Sequence, residues 1–183
     1  MNSLQGKSFT NPLNKDTITF IETIKETNNE RSVLDIILFP GGGVPMHYHT
    51  EFEESFEVIA GELMVQVGKE KIKLTAGESI TAKRGVPHRF YSESDEPTTF
   101  RGIVSPGHEG FEYFLPILYG LSSDGLVNKN STPKSFRHLA IMTTMAGTRF
   151  MGPLSLLERV FALIAKTKKS RQIQAALIEK YCS

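Results

Sequence analysis

The chain reads as a mainly β protein, an antiparallel sandwich or barrel, with a helical extension at its C-terminal end. Two observations predict this. From Thr17 to Val104, short β-branched and aromatic runs alternate with turn signals such as Thr27-Asn28-Asn29-Glu30, Ala60-Gly61-Glu62, Gly68-Lys69-Glu70 and Ala76-Gly77-Glu78. After Ser105-Pro106-Gly107 the apolar period changes, and Phe111, Phe114, Leu115 and Leu118 recur at the i, i+3, i+4, i+7 spacing of a helical face. The length of 183 residues suits one domain with a sizeable core and an appended element.

In chain order, residues 1–15 are polar and broken by Asn11-Pro12 and Asn14, the composition of an arm. Thr17–Thr23 and Ser32–Phe39 are strand-like, and Pro40-Gly41-Gly42-Gly43 ends the second. Glycines there allow backbone geometry closed to other residues, so the loop can swing the next strand inward. Strands are expected at Val44–His49, Ser55–Ala60, Leu63–Val67, Ile72–Leu74, Ser79–Ala82, His88–Ser92 and Thr98–Val104. Pro116 sits inside the first helical pattern and should kink or split it. Thr132-Pro133 is a cap and first-turn pair for a helix through about Met145. Pro153 opens a third helix with Leu157, Phe161, Ile164 and Ala165 on one side, and a fourth from about Ser170 carries Ile173, Leu177 and Tyr181.

The chemistry gathers in Gly41–His88. His47 and His49 are alternate residues of a strand and present two imidazoles to one side. Glu54 follows after Thr50-Glu51-Phe52-Glu53, and His88 stands behind the turn signal Arg84-Gly85-Val86-Pro87. Three imidazoles and a carboxylate form a mixed N/O set suited to a divalent first-row metal such as Fe, Mn, Ni, Zn or Cu. Glu53 and Glu57 lie at odd offsets from Glu54, so alternation turns them outward. By the same alternation Phe56 and Val58 face the interior with Glu54, and Phe90 and Ser92 share a face with His88, which makes these four the expected walls of a substrate pocket. Arg101 is expected on the surface, His108 in an exposed loop and His138 in a structural role on a helix.

The spacing resembles the cupin superfamily. Its first motif falls on Gly41, His47, His49, Glu54 and Gly61, its second on Gly77, Lys83, Arg84-Gly85, His88 and Ser92. Lys83 stands where the motif has proline and Ser92 where it has asparagine; neither position is a ligand. The resemblance implies a single jelly-roll barrel over 16–106, between an N-terminal arm (1–15) and a helical C-terminal extension (107–183). It also implies a metal held by His47, His49, Glu54 and His88, whose identity among Fe, Mn, Ni and Zn stays open. Similar cupins include dioxygenases, isomerases and polyketide cyclases, and cupins often dimerise through barrel faces, so a homodimer is expected.

Two function classes follow. One is a metal-dependent oxidoreductase or isomerase acting on an aromatic or otherwise unsaturated small molecule, with Glu54 doubling as a proton carrier. The other is a non-catalytic sensor or carrier. A net charge of +1 does not suggest nucleic-acid binding, and there is no helix-turn-helix with a basic recognition face, no zinc-finger spacing and no phosphate-gripping glycine loop. The single cysteine, Cys182, excludes an internal disulfide and fits a reducing compartment. With no signal-like apolar core in the first residues and no run of spanning length, a cytoplasmic protein is expected. Leu154–Ala165, followed by Lys166, Lys168, Lys169 and Arg171, has the composition of a helix lying on an anionic membrane; a core-facing stripe with a solvated basic face is the simpler reading.

Overall fold

A computed structural model describes residues 3–150 and 157–182. The strands are β1 (Ser8–Asn11), β2 (Asp16–Glu22), β3 (Ser32–Leu38), β4 (His47–His49), β5 (Glu53–Ala60), β6 (Glu62–Val67), β7 (Glu70–Thr75), β8 (Ser79–Ala82), β9 (His88–Tyr91) and β10 (Thr98–Ser105). Then come α1 (Glu109–Ser123), α2 (Phe136–Met145), β11 (Thr148–Phe150), α3 (Glu158–Ala165) and α4 (Lys168–Tyr181). The strands form two antiparallel sheets, β1-β2-β3-β10-β5-β8 and β11-β4-β9-β6-β7, the two layers of a jelly roll.

Alternation builds the core between them. On β10, Thr98, Phe100, Gly102 and Val104 are buried while the residues between are partly exposed. Phe56, Phe90 and Phe100 meet edge to face, with ring centroids 5.0–6.2 Å apart. The outward residues pair across strands. Arg101 makes a bidentate contact to Asp35 at 2.8 and 3.1 Å, and Lys83 reaches Glu53 at 3.0 Å. Lys83 therefore spends its motif position on a surface ion pair, and Glu53 faces away from the interior.

The glycine loop before β4 is a close backbone approach. A Cβ on Gly43 would come within 2.8 Å of the Phe90 carbonyl oxygen, and one on Gly42 within 2.6 Å of the Asn14 carbonyl oxygen. Val44 N–H donates to Phe90 O, and Ser92 N–H donates to Gly42 O. The loop thus lies on β9 and delivers β4 beside it.

Three expectations change. Residues 8–11, expected within an arm, add β1 to the edge of β2, with Ser8 and Thr10 hydroxyls paired to Thr19 and Thr17. Pro116 leaves α1 continuous through its 15 residues. The helix buries Phe111, Ile117, Leu118 and Leu121, which outweighs the roughly 3 kcal/mol disfavouring an interior proline. The cap of α2 is Ser135, whose hydroxyl accepts His138 N–H; Pro133 instead bridges to Val127. Pro153 and the start of the Leu154–Ala165 stretch lie outside the described residues. In α3, Phe161 packs with Leu139 and Ala140 of α2, while Leu163 is 69% exposed. Among the described residues no helix is long and apolar enough to cross a membrane.

Polar latches dock α1 across the barrel. The Glu112 carboxylate accepts Ile24 N–H (2.7 Å) and Ser32 Oγ–H (2.6 Å), Tyr119 donates to Asp16 (2.7 Å) and Ser122 to Asn11 (2.7 Å). The Tyr181 ring of α4 fills the space over Gly120, and Tyr181 and Lys180 both reach Asp124. Burial lifts the Asp16 carboxyl from 3.8 to about 7, against the lowering effect of the Tyr119 hydrogen bond. A carboxyl raised on folding holds its proton longer in the native state. Its contribution is therefore complete below pH 4 and is lost as pH rises through about 7. Urea unfolding at pH 5 and pH 8 should show wild type losing a few kcal/mol relative to Asp16→Asn; parallel pH slopes for the two proteins would refute the assignment.

Candidate metal centre

The two sheets supply the site jointly. β4 and β9 are antiparallel neighbours with His47 directly opposite His88, and His49 lies two residues along on the same face. Glu54 comes from β5 in the facing sheet, so the Thr50–Glu53 link carries the chain from one layer to the other. The three imidazole centroids stand 4.6, 4.9 and 5.2 Å apart. The four donor atoms, one from each of His47, His49, Glu54 and His88, all lie within 4.8 Å of one another.

Each ring is aimed by its other nitrogen. Nδ1 of His47 lies 2.8 Å from Pro45 O, and Nδ1 of His88 lies 2.9 Å from Val86 O. A carbonyl only accepts, so both Nδ1 atoms carry a proton and Nε2 is the nitrogen turned to the cluster, in His88 as a donor to Glu54 Oε2 until a cation displaces that proton. His49 is held by Thr148: the Thr148 hydroxyl donates to Ala146 O (3.4 Å) and accepts from His49 Nδ1 (3.2 Å). Such partners outside the ligand set fix tautomer and ring orientation. His49 also stacks on Phe52 and meets the edge of Phe111, with centroids at 4.3 and 5.8 Å.

The donor set fits a small divalent cation. Bonds of about 2.0–2.2 Å put donors on opposite sides of one ion about 4 Å apart, close to the spread seen here. Glu54 Oε2 lies 3.1 Å from His88 Nε2 and 3.3 Å from His49 Nε2. The His49 Nε2 is buried and, beyond that long contact to Glu54, has no hydrogen-bond partner among the described residues, a position a cation would satisfy. Burial, reinforced by His49 and His88, pushes His47 down to about 3, and burial also lowers His49. Burial alone would raise Glu54, but the two imidazoles beside it hold it well below the carboxylate range; burial likewise opposes a charge on His88, yet Glu54 keeps it raised. Neutral His47 and His49 beside an ionised carboxylate are protonation states a metal takes up, and His88, whose charge Glu54 favours, would give up its proton on binding.

A cavity of roughly 950 Å³, counting its open mouth, reaches the cluster and is lined by His47, His49 and Glu54. Of the four residues expected to wall it, Phe90 does. Phe56 and Val58 are buried core behind the site, with the Phe56 ring 6.1 Å from that of His88. Ser92 shares a turn with Ser94. The remaining wall comes largely from the extension, including Phe111, Phe114, Leu118, Leu139, Met142 and Thr148. β11, which carries Thr148, pairs with β4 and was missed in the sequence reading; its signal is short, a β-branched residue and an aromatic after Gly147 at φ +59°. His108, expected in an exposed loop, is the α1 cap: its Nδ1 accepts Phe111 N–H at 3.0 Å and its Nε2 lies 3.2 Å from Glu51.

The comparisons agree with the fold and the motif. The family profile described as Cupin domain matches residues 35–105. The chain is 32% identical over 71 residues to the tetracenomycin polyketide synthase protein TcmJ of Streptomyces glaucescens, covering 39% of this chain and 48% of that protein, so it spans about half of that relative's length. An uncharacterized protein of Aquifex aeolicus is 30% identical over 90 residues, 49% of this chain and 73% of that one. Among solved structures, KdgF from Halomonas sp. aligns with a TM-score of 0.47 at 15% identity over 52% of this chain and 82% of its own. TT1209 from Thermus thermophilus aligns with a TM-score of 0.41 at 27% identity over 43% and 74%. The two-sheet barrel carries imidazoles on one layer and a carboxylate on the other, a jelly roll whose donor set could hold a metal ion. The chain belongs to the cupin superfamily.

Elemental analysis of the purified protein should find about one transition metal per chain, and none in His47→Ala/His49→Ala; equal content in both proteins, with both folded by circular dichroism, removes the ligand assignment. Thr148→Val should weaken metal binding about 10–100-fold in chelator competition, and unchanged affinity would show that the His49 ring is oriented without it.

Proposed function

We propose that the protein is a small-molecule metalloenzyme. In this reading His47, His49, Glu54 and His88 hold one divalent transition metal ion beneath an apolar cavity that receives an oxygen-bearing, largely hydrocarbon substrate. The observation that carries the proposal is the junction of the cluster with the cavity: the donor atoms that converge on one point are themselves cavity wall. Once bound there, such an ion supplies Lewis acidity toward an oxygen-bearing ligand and, if it is iron, access to dioxygen chemistry.

The chain's own residues do the rest. Phe111, Phe114, Leu118 and Met142 close over the site and exclude water, which strengthens every charge interaction beneath them. Phe90 lies along the barrel side and favours a flat or unsaturated body through ring contacts. Glu54 is the carboxylate that would receive a proton from the substrate and return it once it leaves the ion during turnover. His49 and His88 hold it ionised well below the carboxylate range despite burial, so it takes up a proton only after it has moved away from those two nitrogens. Among the described residues the cavity lining contains no Lys, Arg, Asp or Glu besides Glu54 that competes for that role. The resemblance to a polyketide synthase protein supports an aromatic or polyketide-like substrate, while the share of that relative covered leaves the particular reaction to experiment.

Oxygen uptake and product formation should be followed with Fe(II)-, Mn(II)-, Ni(II)- and Zn(II)-loaded protein on a panel of diols, flavonols and diketones. Turnover that falls about 100-fold or more in Glu54→Gln is the expected result. Tight binding of panel members with no turnover under any of the metals would instead establish a carrier or sensor.

A further inference from the structure

The cavity has a second polar end. α1 lies across the barrel with Phe111 against the His49 ring and Tyr119, eight positions later, hydrogen-bonded to Asp16 on β2. At the rise of an α-helix those positions are about 12 Å apart. Tyr119 lines the cavity together with Asn14, Asn130 and Ser131. The Ser131 hydroxyl donates to Asn14 Oδ1 at 2.6 Å, and the Asn14 side chain also meets the Tyr119 hydroxyl. Between the two ends the wall is Ile18, Leu34, Ile36, Phe114, Leu115 and Leu118. Among the described residues no lysine or arginine lines any part of it.

We propose that the ligand of this cavity is two-headed: a metal-seeking oxygen pair at the His47–His49–Glu54 end, an apolar body about 12 Å long, and an uncharged hydroxyl or carbonyl group at the Asn14–Tyr119–Ser131 end. The distal group is uncharged because, among the described residues, that end offers amide and hydroxyl dipoles but no cation. A phosphate or carboxylate placed there would lose its hydration without gaining a counter-charge. A ligand hydroxyl there can donate to the lone pairs that the Ser131 and Tyr119 oxygens keep once their own protons are spent on Asn14 and Asp16, and a ligand lacking it forgoes that bond. The ligand class is thus an extended apolar molecule oxygenated at both ends, and phosphorylated sugars are excluded from it. The near head rests on the metal-dependent reading; the distal end stands on its own lining.

Calorimetric titration of the zinc-loaded full-length protein with three probes tests this: a catechol-headed anthraquinone, its analogue with a further hydroxyl on the distal ring, and the analogue with a carboxylate there. The distal hydroxyl should tighten binding about tenfold over the parent, and the carboxylate should weaken it. In Tyr119→Phe, and in Ser131→Ala, which lies on a half-buried loop and leaves the barrel untouched, the three affinities should converge to within about twofold. Equal affinities in the wild type, tightest binding by the carboxylate, binding by none of the three, or a hydroxyl preference that survives in both variants would each overturn the proposal. The His47→Ala/His49→Ala protein separates the two readings. If the hydroxyl preference persists there with undiminished affinity, the distal end is upheld and the metal-bound head is not.

Discussion

Everything in this fold is arranged around one convergence: three imidazoles on one β layer and one carboxylate on the other, brought to a common point inside a closed pair of sheets. Either layer alone leaves the set incomplete. The pairing of β4 with β9 sets His47 against His88, and a slip of one residue would turn His47 and His49 to the outer face. The glycines before β4 protect that register, because a side chain at Gly42 or Gly43 would collide with the backbone of the Asn14 turn or of β9. The aromatic core beneath, Phe56 with Phe90 and Phe100, holds the layers at a spacing where Glu54 reaches across.

The helical extension encloses that centre in a cavity. Without it the donors would open to solvent; with it, Phe111 rests on the His49 ring and Thr148 holds that ring's far nitrogen. The same segment that shapes the cavity therefore orients a candidate metal ligand. Changes in cavity shape and changes in metal affinity are coupled through residues of α1 and β11, and a substitution there acts on both.

The barrel and its four donors were legible in the sequence because both depend on local periodicity. Alternation places Glu53 outward and Glu54 inward whatever the rest of the chain does, and His-x-His needs only an extended strand. What was illegible depends on contacts between distant residues. Thr148 meets His49 across 99 positions, and nothing within three residues of Thr148 announces it beyond a glycine and β-branching. The expected pocket walls Phe56 and Val58 are inward-facing, as alternation requires, yet inward on β5 means core once Glu54 has taken the position at the rim. Pro116 read as a break because the rule describes an isolated helix, whereas α1 is held by the apolar contacts of its buried face and by Glu112, Tyr119 and Ser122. The Ser8–Asn11 segment read as an arm because its alternation is short, and only the hydroxyl pairs with Thr19 and Thr17 make it a strand.

Two buried carboxyl groups serve the cavity, and their environments drive them apart. Glu54 sits among imidazoles that favour its charge more strongly than burial opposes it. Asp16 sits behind Tyr119 with a hydroxyl as its hydrogen-bond partner, and burial prevails. A neutral-leaning carboxyl at one end and an ionised one at the other place the cavity's fixed negative charge at the cluster alone. That end is the one suited to a divalent cation, because there a carboxylate and imidazole nitrogens converge. The opposite end, lacking fixed charge of either sign on its surface, is left to recognise a ligand by hydrogen bonds. The polarity of the cavity is thus a consequence of what stands behind each carboxyl, three rings in one case and one phenol in the other.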